Sequence, residues 1–250
     1  MVCAAGGGEE ALEGNKMNIK RVGEYGQRYK DEFLISDLGV KAQLLGDWHE
    51  GLNFFFRKSF YRGRKDEISD VFRERALEVI QEFDLRNNIR KFKPSEFNKL
   101  LKQNRVNNRV DRRMICQSIE LIKGKGGLNI VSYSVEQIKK DEVAGVYDEL
   151  CKIYGVADKI ATFFLRDLAI VFGLEGKIDE QDYIYFQPID TWVRQVAERL
   201  KIIDERENNA DTIKEKIISA TLSEGVSPLL FNAGAWYIGK HSFDLLFNNE

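Results

Sequence analysis

Only three prolines, Pro94, Pro188 and Pro228, break a chain of 250 residues whose apolar side chains recur at spacings of three and four. That period places them on one face of an α-helix, and few prolines leave the helices uninterrupted. The expected fold class is therefore all-α. Helices are expected over about 40–61, 67–84, 94–103, 107–123, 144–152, 159–172, 189–201, 209–222 and 227–247, each bounded by Gly, Pro, Asn or Asp. LNIVSYS at 128–134 admits a short extended piece, and GLEGKIDEQDYIYFQ at 173–187 reads as a long inserted loop. The chain divides loosely into a disordered tail over 1–15, a helical part with a basic face over 16–123, and a part over 124–250 that carries the motifs, with a groove between the two packed parts. No period of 20–50 residues repeats.

A net charge of −2 excludes a protein coated in positive potential, yet the charge is unevenly spread. Between Arg86 and Arg113 stand ten basic residues against two acidic ones, Glu96 and Asp111, a net +8 over 28 residues. RKSFYRGRK at 57–65 adds a second cluster. Such a patch is either a solvated helical surface or a phosphate-binding face. Three cysteines, Cys3, Cys116 and Cys151, without CxxC spacing support neither a disulfide framework nor a metal site. The expected setting is intracellular, in cytoplasm, nucleoid or nucleus, with no membrane span and a monomeric state. His49 and His241 are isolated, no HExxH occurs, and Gly6, Gly7 and Gly8 precede no GK[ST], so metal-hydrolase and nucleotide-binding readings are poor and no cofactor or metal is expected.

Two short stretches carry chemistry. YGVADKIA at 154–161 places a glycine turn before a helix start, and QPIDTWV at 187–193 places Asp190 just after Pro188. Free N–H groups at a helix start, together with the macrodipole, can hold a phosphate; the bland reading is an ordinary glycine-capped connection. Lys159 falls in the first turn, where the dipole disfavours an ammonium and partial burial would disfavour it further. An uncharged amine there is a nucleophile able to form a Schiff base. Asp190 is positioned to cap the next helix, and a capping carboxylate can also stabilise positive charge developing on a sugar ring.

Together, GVADKIA and PIDTWV resemble the signature of the helix-hairpin-helix DNA glycosylases, whose hairpin approximates LPGVGxKxA and whose catalytic aspartate follows in a PVD-type stretch. The resemblance covers roughly residues 144–201. A lysine at the hairpin position, here Lys159, is what the bifunctional members similar to 8-oxoguanine DNA glycosylase carry. It implies that Lys159 attacks the sugar with support from Asp190 and that the strand is also nicked. Ala157 stands where the family has its second glycine, so a left-handed backbone there would cost about 1 kcal/mol or more. Tyr154 replaces the usual proline. The separation 190 − 159 = 31 is longer than in most members and looks like the archaeal 8-oxoguanine branch. The family's four-cysteine iron–sulfur loop is missing from the sequence.

The resemblance further places Phe163 against the face of an extruded base, and Asn232 and Trp236 near the base edge, with Trp48 as a second stacking surface; each is equally readable as core packing. Gly155, Val156 and Ala157, with Arg109, Arg112 and Arg113, would bind DNA phosphates. The implied partner is double-stranded DNA containing a damaged base. Open alternatives are a glycosylase of the same type for mismatched thymine, uracil or an alkylated purine, and a non-catalytic DNA-binding module in which Lys159 merely touches a phosphate.

Overall fold

A computed structural model describes residues 17–61 and 65–247; the expected tail over 1–15, together with Cys3, Arg62 and Arg64, lies outside them. All regular structure among the described residues is helical. The α-helices, in chain order, are α1 (Ile19–Phe33), α2 (Ile35–Gly39), α3 (Lys41–Gly46), α4 (Trp48–Ser59), α5 (Asp66–Glu82), α6 (Leu85–Asn88), α7 (Pro94–Gln103), α8 (Arg109–Lys123), α9 (Ile130–Lys139), α10 (Val143–Cys151), α11 (Asp158–Phe172), α12 (Thr191–Arg199), α13 (Ala210–Ser223), α14 (Pro228–His241) and α15 (Phe243–Phe247). No described helix is long and apolar enough to cross a membrane. Two compact units result, Met1–Tyr29 with Ile189–Glu250, and Lys30–Pro188.

Within the larger unit, the helix expected over 40–61 is two. The Asp47 side chain accepts the His49 and Glu50 amides at 2.7 and 3.3 Å and starts α4 anew. The extended piece expected at 128–134 is instead the start of α9. Asn129 accepts the Ser132 amide at 2.8 Å while the Ser132 hydroxyl accepts the Asn129 amide at 2.9 Å, a reciprocal cap that two β-branched neighbours do not override. The Asn129 amide group also donates to the carbonyls of Leu44, Leu45 and Asp47 at 2.8, 3.2 and 2.9 Å. A β-carbon on Gly51 would stand 2.7 Å from that side chain, so only glycine lets it in. These bonds knit together segments on both sides of residue 123. The chain accordingly divides at Tyr29 and at Pro188 rather than near 123.

Residues 173–187 are not an open loop. Gly173, at φ 64°, ends α11 in the left-handed conformation, and its successor donates back from Leu174 to the Ala169 carbonyl at 2.9 Å. The chain then winds into short 3-10 turns, Glu175–Lys177 and Glu180–Phe186, which bury Tyr183 and Phe186.

The smaller unit contains α1 as far as Tyr29, a helix with few aliphatic side chains. Its contact with α14 is built on glycines: a β-carbon on Gly26 would lie 2.0 Å from the Leu230 carbonyl oxygen, and one on Gly234 would lie 1.9 Å from that of Val22. Around this close crossing, Val193, Val196, Phe231, Ala235 and Ile238 form a core with Ile213 and Ile217 of α13. Because the obstacles at Gly234 are backbone atoms that cannot swing aside, Gly234→Ala is expected to destabilise the protein by roughly 1–3 kcal/mol. A thermal midpoint unchanged from wild type would show that α1 and α14 do not cross so closely.

Candidate functional site

The connection between α10 and α11 presents the first candidate residues. Gly155 supplies the tight turn with φ 82°, a conformation that glycine adopts freely. Ala157 does not need it: at φ −108°, ψ 179° its backbone is extended, so the position does not require glycine and the expected cost of alanine disappears. The N-cap residue Ala157 makes no side-chain cap bond to the start of α11. Of the three turn residues expected to meet phosphate, Gly155 and Ala157 are exposed, whereas Val156 is buried and its amide donates to the Ile153 carbonyl at 2.9 Å. Val156 therefore anchors the turn from within. Asp158, in the first turn, accepts the Tyr147 hydroxyl at 2.8 Å and ties α11 back to α10. Burial, followed by that carboxylate, raises the Tyr147 phenol above its usual range.

Lys159 is exposed, so the partial burial expected of its amine is not present. The apolar face of α11 is formed instead by Ile160, Ala161, Phe164, Leu165 and Leu168. Phe163, one turn after Lys159, is half-buried and contacted by two cations, with the Lys58 Nζ 4.8 Å and the Arg166 Cζ 4.5 Å from its ring centroid.

Beneath it lies a charged cluster that sequence reasoning missed. Asp167, fully buried, accepts Arg166 through Nε and Nη2 at 3.0 and 2.7 Å on one carboxylate oxygen and pairs with Lys58 on the other. Burial pushes the Lys58 ammonium below its usual value, and Asp167 opposes the shift. The neighbouring Arg57 pairs with buried Asp37. Two of the five basic residues at 57–65 thus turn inward, and neither Arg57 nor Lys58 belongs to a phosphate face. An Arg–Asp pair inside the apolar run FFLRDLAIVF was the available signal, since charges so placed must find buried partners.

The basic segment behaves as expected with one exception. Arg86, Arg90, Lys91, Lys93, Lys99, Lys102, Arg105, Arg109 and Arg113 are exposed. Arg112 instead donates to Asn98 Oδ1 at 3.0 Å and to the carbonyls of Val106 and Asn107 at 2.8 and 2.6 Å, bracing the α7–α8 connection. Its Nε and Nη1 donors are spent on the fold. Arg113 lies against the turn just described, its Cζ 4.1 Å from the Tyr154 ring centroid, and Gln117 accepts the Tyr154 amide at 2.6 Å. Trp48 is buried and donates its indole N–H to the Gly127 carbonyl at 3.3 Å, so it is a core tryptophan and not a stacking surface.

In the smaller unit, Asp190 is half-buried and caps α12, accepting the Val193 amide at 2.9 Å through Oδ1. The expected cap is present. Asn232 is completely buried, which removes it from the surface as a reader of base edges. Trp236 is half-buried, edge-on to Tyr29 at 5.5 Å, with the Lys240 Nζ 4.9 Å from its ring centroid. Among the described residues no group of three or more His, Cys, Asp or Glu could hold a metal ion.

No protein-family model matches the chain, and no solved structure matches it. A stretch of 72 residues is 39% identical to part of an uncharacterized protein of Methanocaldococcus jannaschii, covering 29% of this chain and 16% of that protein. The chain thus spans about a sixth of that relative's length.

Proposed function

We propose that this chain is a helix-hairpin-helix DNA glycosylase that removes an oxidised purine, 8-oxoguanine, and then nicks the strand by β-elimination. The observation that carries the reading is the exposed Lys159 in the first turn of α11, directly after the left-handed Gly155 turn. The exposed run of arginines and lysines from Arg86 to Arg113 supports a polyanionic partner.

In this reading the turn and the basic segment hold phosphates, and the damaged nucleotide leaves the stack so that its glycosidic bond can be reached. The Lys159 amine attacks C1′ and the base departs with the bonding electrons, taking up a proton. The nitrogen lone pair then forms C1′=N as the C1′–O4′ bond breaks and O4′ takes up a proton, opening the sugar ring. The protonated Schiff base so formed acidifies the C2′ proton, whose removal breaks the C3′–O3′ bond and expels the 3′ phosphate. The resemblance assigns Asp190 the stabilisation of positive charge at C1′ while the base leaves. The nucleotide itself would cover the amine that is exposed in the free chain.

Asp190 offers a clean separation of structure from chemistry. Asparagine caps a helix about as well as aspartate, so Asp190→Asn should keep the bond to Val193 and the thermal midpoint while losing the charge. We expect base release to fall about 100-fold or more, the scale of a lost electrostatic contact in a transition state, with DNA affinity within about threefold of wild type. Unaffected turnover removes Asp190 from the mechanism. A panel of duplexes carrying 8-oxoguanine, mismatched thymine, uracil or an alkylated purine tests the substrate; release of one of the others, with 8-oxoguanine untouched, would reassign the lesion.

A further inference from the structure

Tyr154 and Arg113 are distant in sequence, and nothing in either motif couples them, yet they meet beside the turn. Tyr154 is 44% exposed, an unusual position for a large aromatic ring at a helix connection. Arg113 is exposed, stacks on that ring at 4.1 Å, and among the described residues pairs with no carboxylate. Gln117, one turn further along α8, accepts the Tyr154 amide at 2.6 Å and so fixes the base of the ring against the same helix. A guanidinium stacked by its face on an aromatic ring keeps its N–H edge available for two anionic oxygens at once. The stack also removes rotamers before any anion arrives, so less side-chain entropy is lost on binding. Gly155, the next residue, makes the left-handed turn.

We infer that Arg113 is a phosphate contact held in place by Tyr154, a positioning residue, and that this pair adds a second grip on the DNA strand next to the one at the turn. The inference rests on the DNA reading above. It also gives the tyrosine, which stands where the related motif has proline, a task that proline could not perform.

Anisotropy of a short labelled duplex with a tetrahydrofuran abasic analogue, titrated with salt against the full chain, tests it. Arg113→Gln should weaken binding about 5–10-fold and lower the slope of log K against log salt by about 1. Tyr154→Ala should weaken it by a similar factor although it removes no charge, and Tyr154→Phe, which keeps the ring, should stay within about twofold. Combining Tyr154→Ala with Arg113→Gln should cost no more than Arg113→Gln alone. Arg113→Lys, which leaves Tyr154 intact, should restore the salt slope without restoring affinity. Binding at wild-type strength by Tyr154→Ala or Arg113→Lys, or multiplying losses in the double variant, overturns this inference alone. Absence of salt-dependent binding by the wild type overturns the DNA reading and this grip with it.

Discussion

Lys159→Gln is expected to reduce strand nicking and borohydride-trapped complex to background, a loss of at least about a thousandfold, or roughly 4 kcal/mol of transition-state stabilisation. The magnitude follows from the role proposed: no other group supplies the electron pair that forms the bond to C1′, and glutamine cannot form a Schiff base. The fold should be untouched, because Lys159 is exposed and the buried face of α11 is carried by Ile160, Phe164, Leu165 and Leu168. Surface changes of this kind usually move stability by no more than about 0.5 kcal/mol. Affinity for undamaged duplex should fall only slightly, since one charge among many basic side chains is removed. Nicking by the variant at wild-type rate would assign the nucleophile elsewhere. Wild-type nicking lost together with the fold would leave the substitution's effect structural, which circular dichroism reads directly.

Asp167→Asn should lower stability by about 3–5 kcal/mol, the scale on which removing one partner of a buried ion pair acts. In a chain of this size that is a drop of roughly 6–20 °C in thermal midpoint. Asp167 pairs with Arg166 and Lys58 together, so its amide would take the same carboxylate away from two desolvated cations. The pH dependence of the loss has a definite sign. Burial already places the Lys58 ammonium below its usual value of 10.5, and the variant removes the carboxylate that opposes that shift. Between the lowered folded value and 10.5 the unfolded chain binds more protons than the folded one, so stability at this site rises with pH. The deficit of Asp167→Asn relative to wild type should therefore narrow as pH is raised toward 10.5. Lys58→Met, which leaves Arg166 to neutralise Asp167, should change stability by less than about 1 kcal/mol. A thermal midpoint for Asp167→Asn within 2 °C of wild type at neutral pH would contradict the buried-pair account.

Much of the fold is legible in the chain's patterning. Apolar spacing marks α8, α11 and α13, and Pro188 followed by Asp190 marks the cap of α12 at Val193. What escaped has specific causes. Helix α1 does carry Ile19, Val22, Tyr25, Tyr29 and Phe33 at helical spacing, but its close packing runs through Gly23 and Gly26, a contact made by missing side chains that the sequence does not announce. Helix α9 opens with Ile130 and Val131, which suggest a strand until Asn129 and Ser132 are seen to cap each other. Arg57 and Lys58 belong by sequence to a basic run, and only folding brings Asp37 and Asp167 to them. Trp48 and Asn232 were read as contacts because of their chemistry, while their burial depends on neighbours far along the chain. Ala157 was suspect by analogy and is harmless by conformation.

The identity of the nucleophile is the claim from which the rest of the functional account descends. Incubating the wild-type chain with a duplex containing 8-oxoguanine in the presence of borohydride, digesting the product and locating the adduct by mass spectrometry tests it directly. The account predicts a covalent deoxyribose adduct on the peptide containing Lys159, formed with the damaged duplex and not with its undamaged counterpart. No adduct at all, or one carried by Lys58 or another lysine, would contradict it.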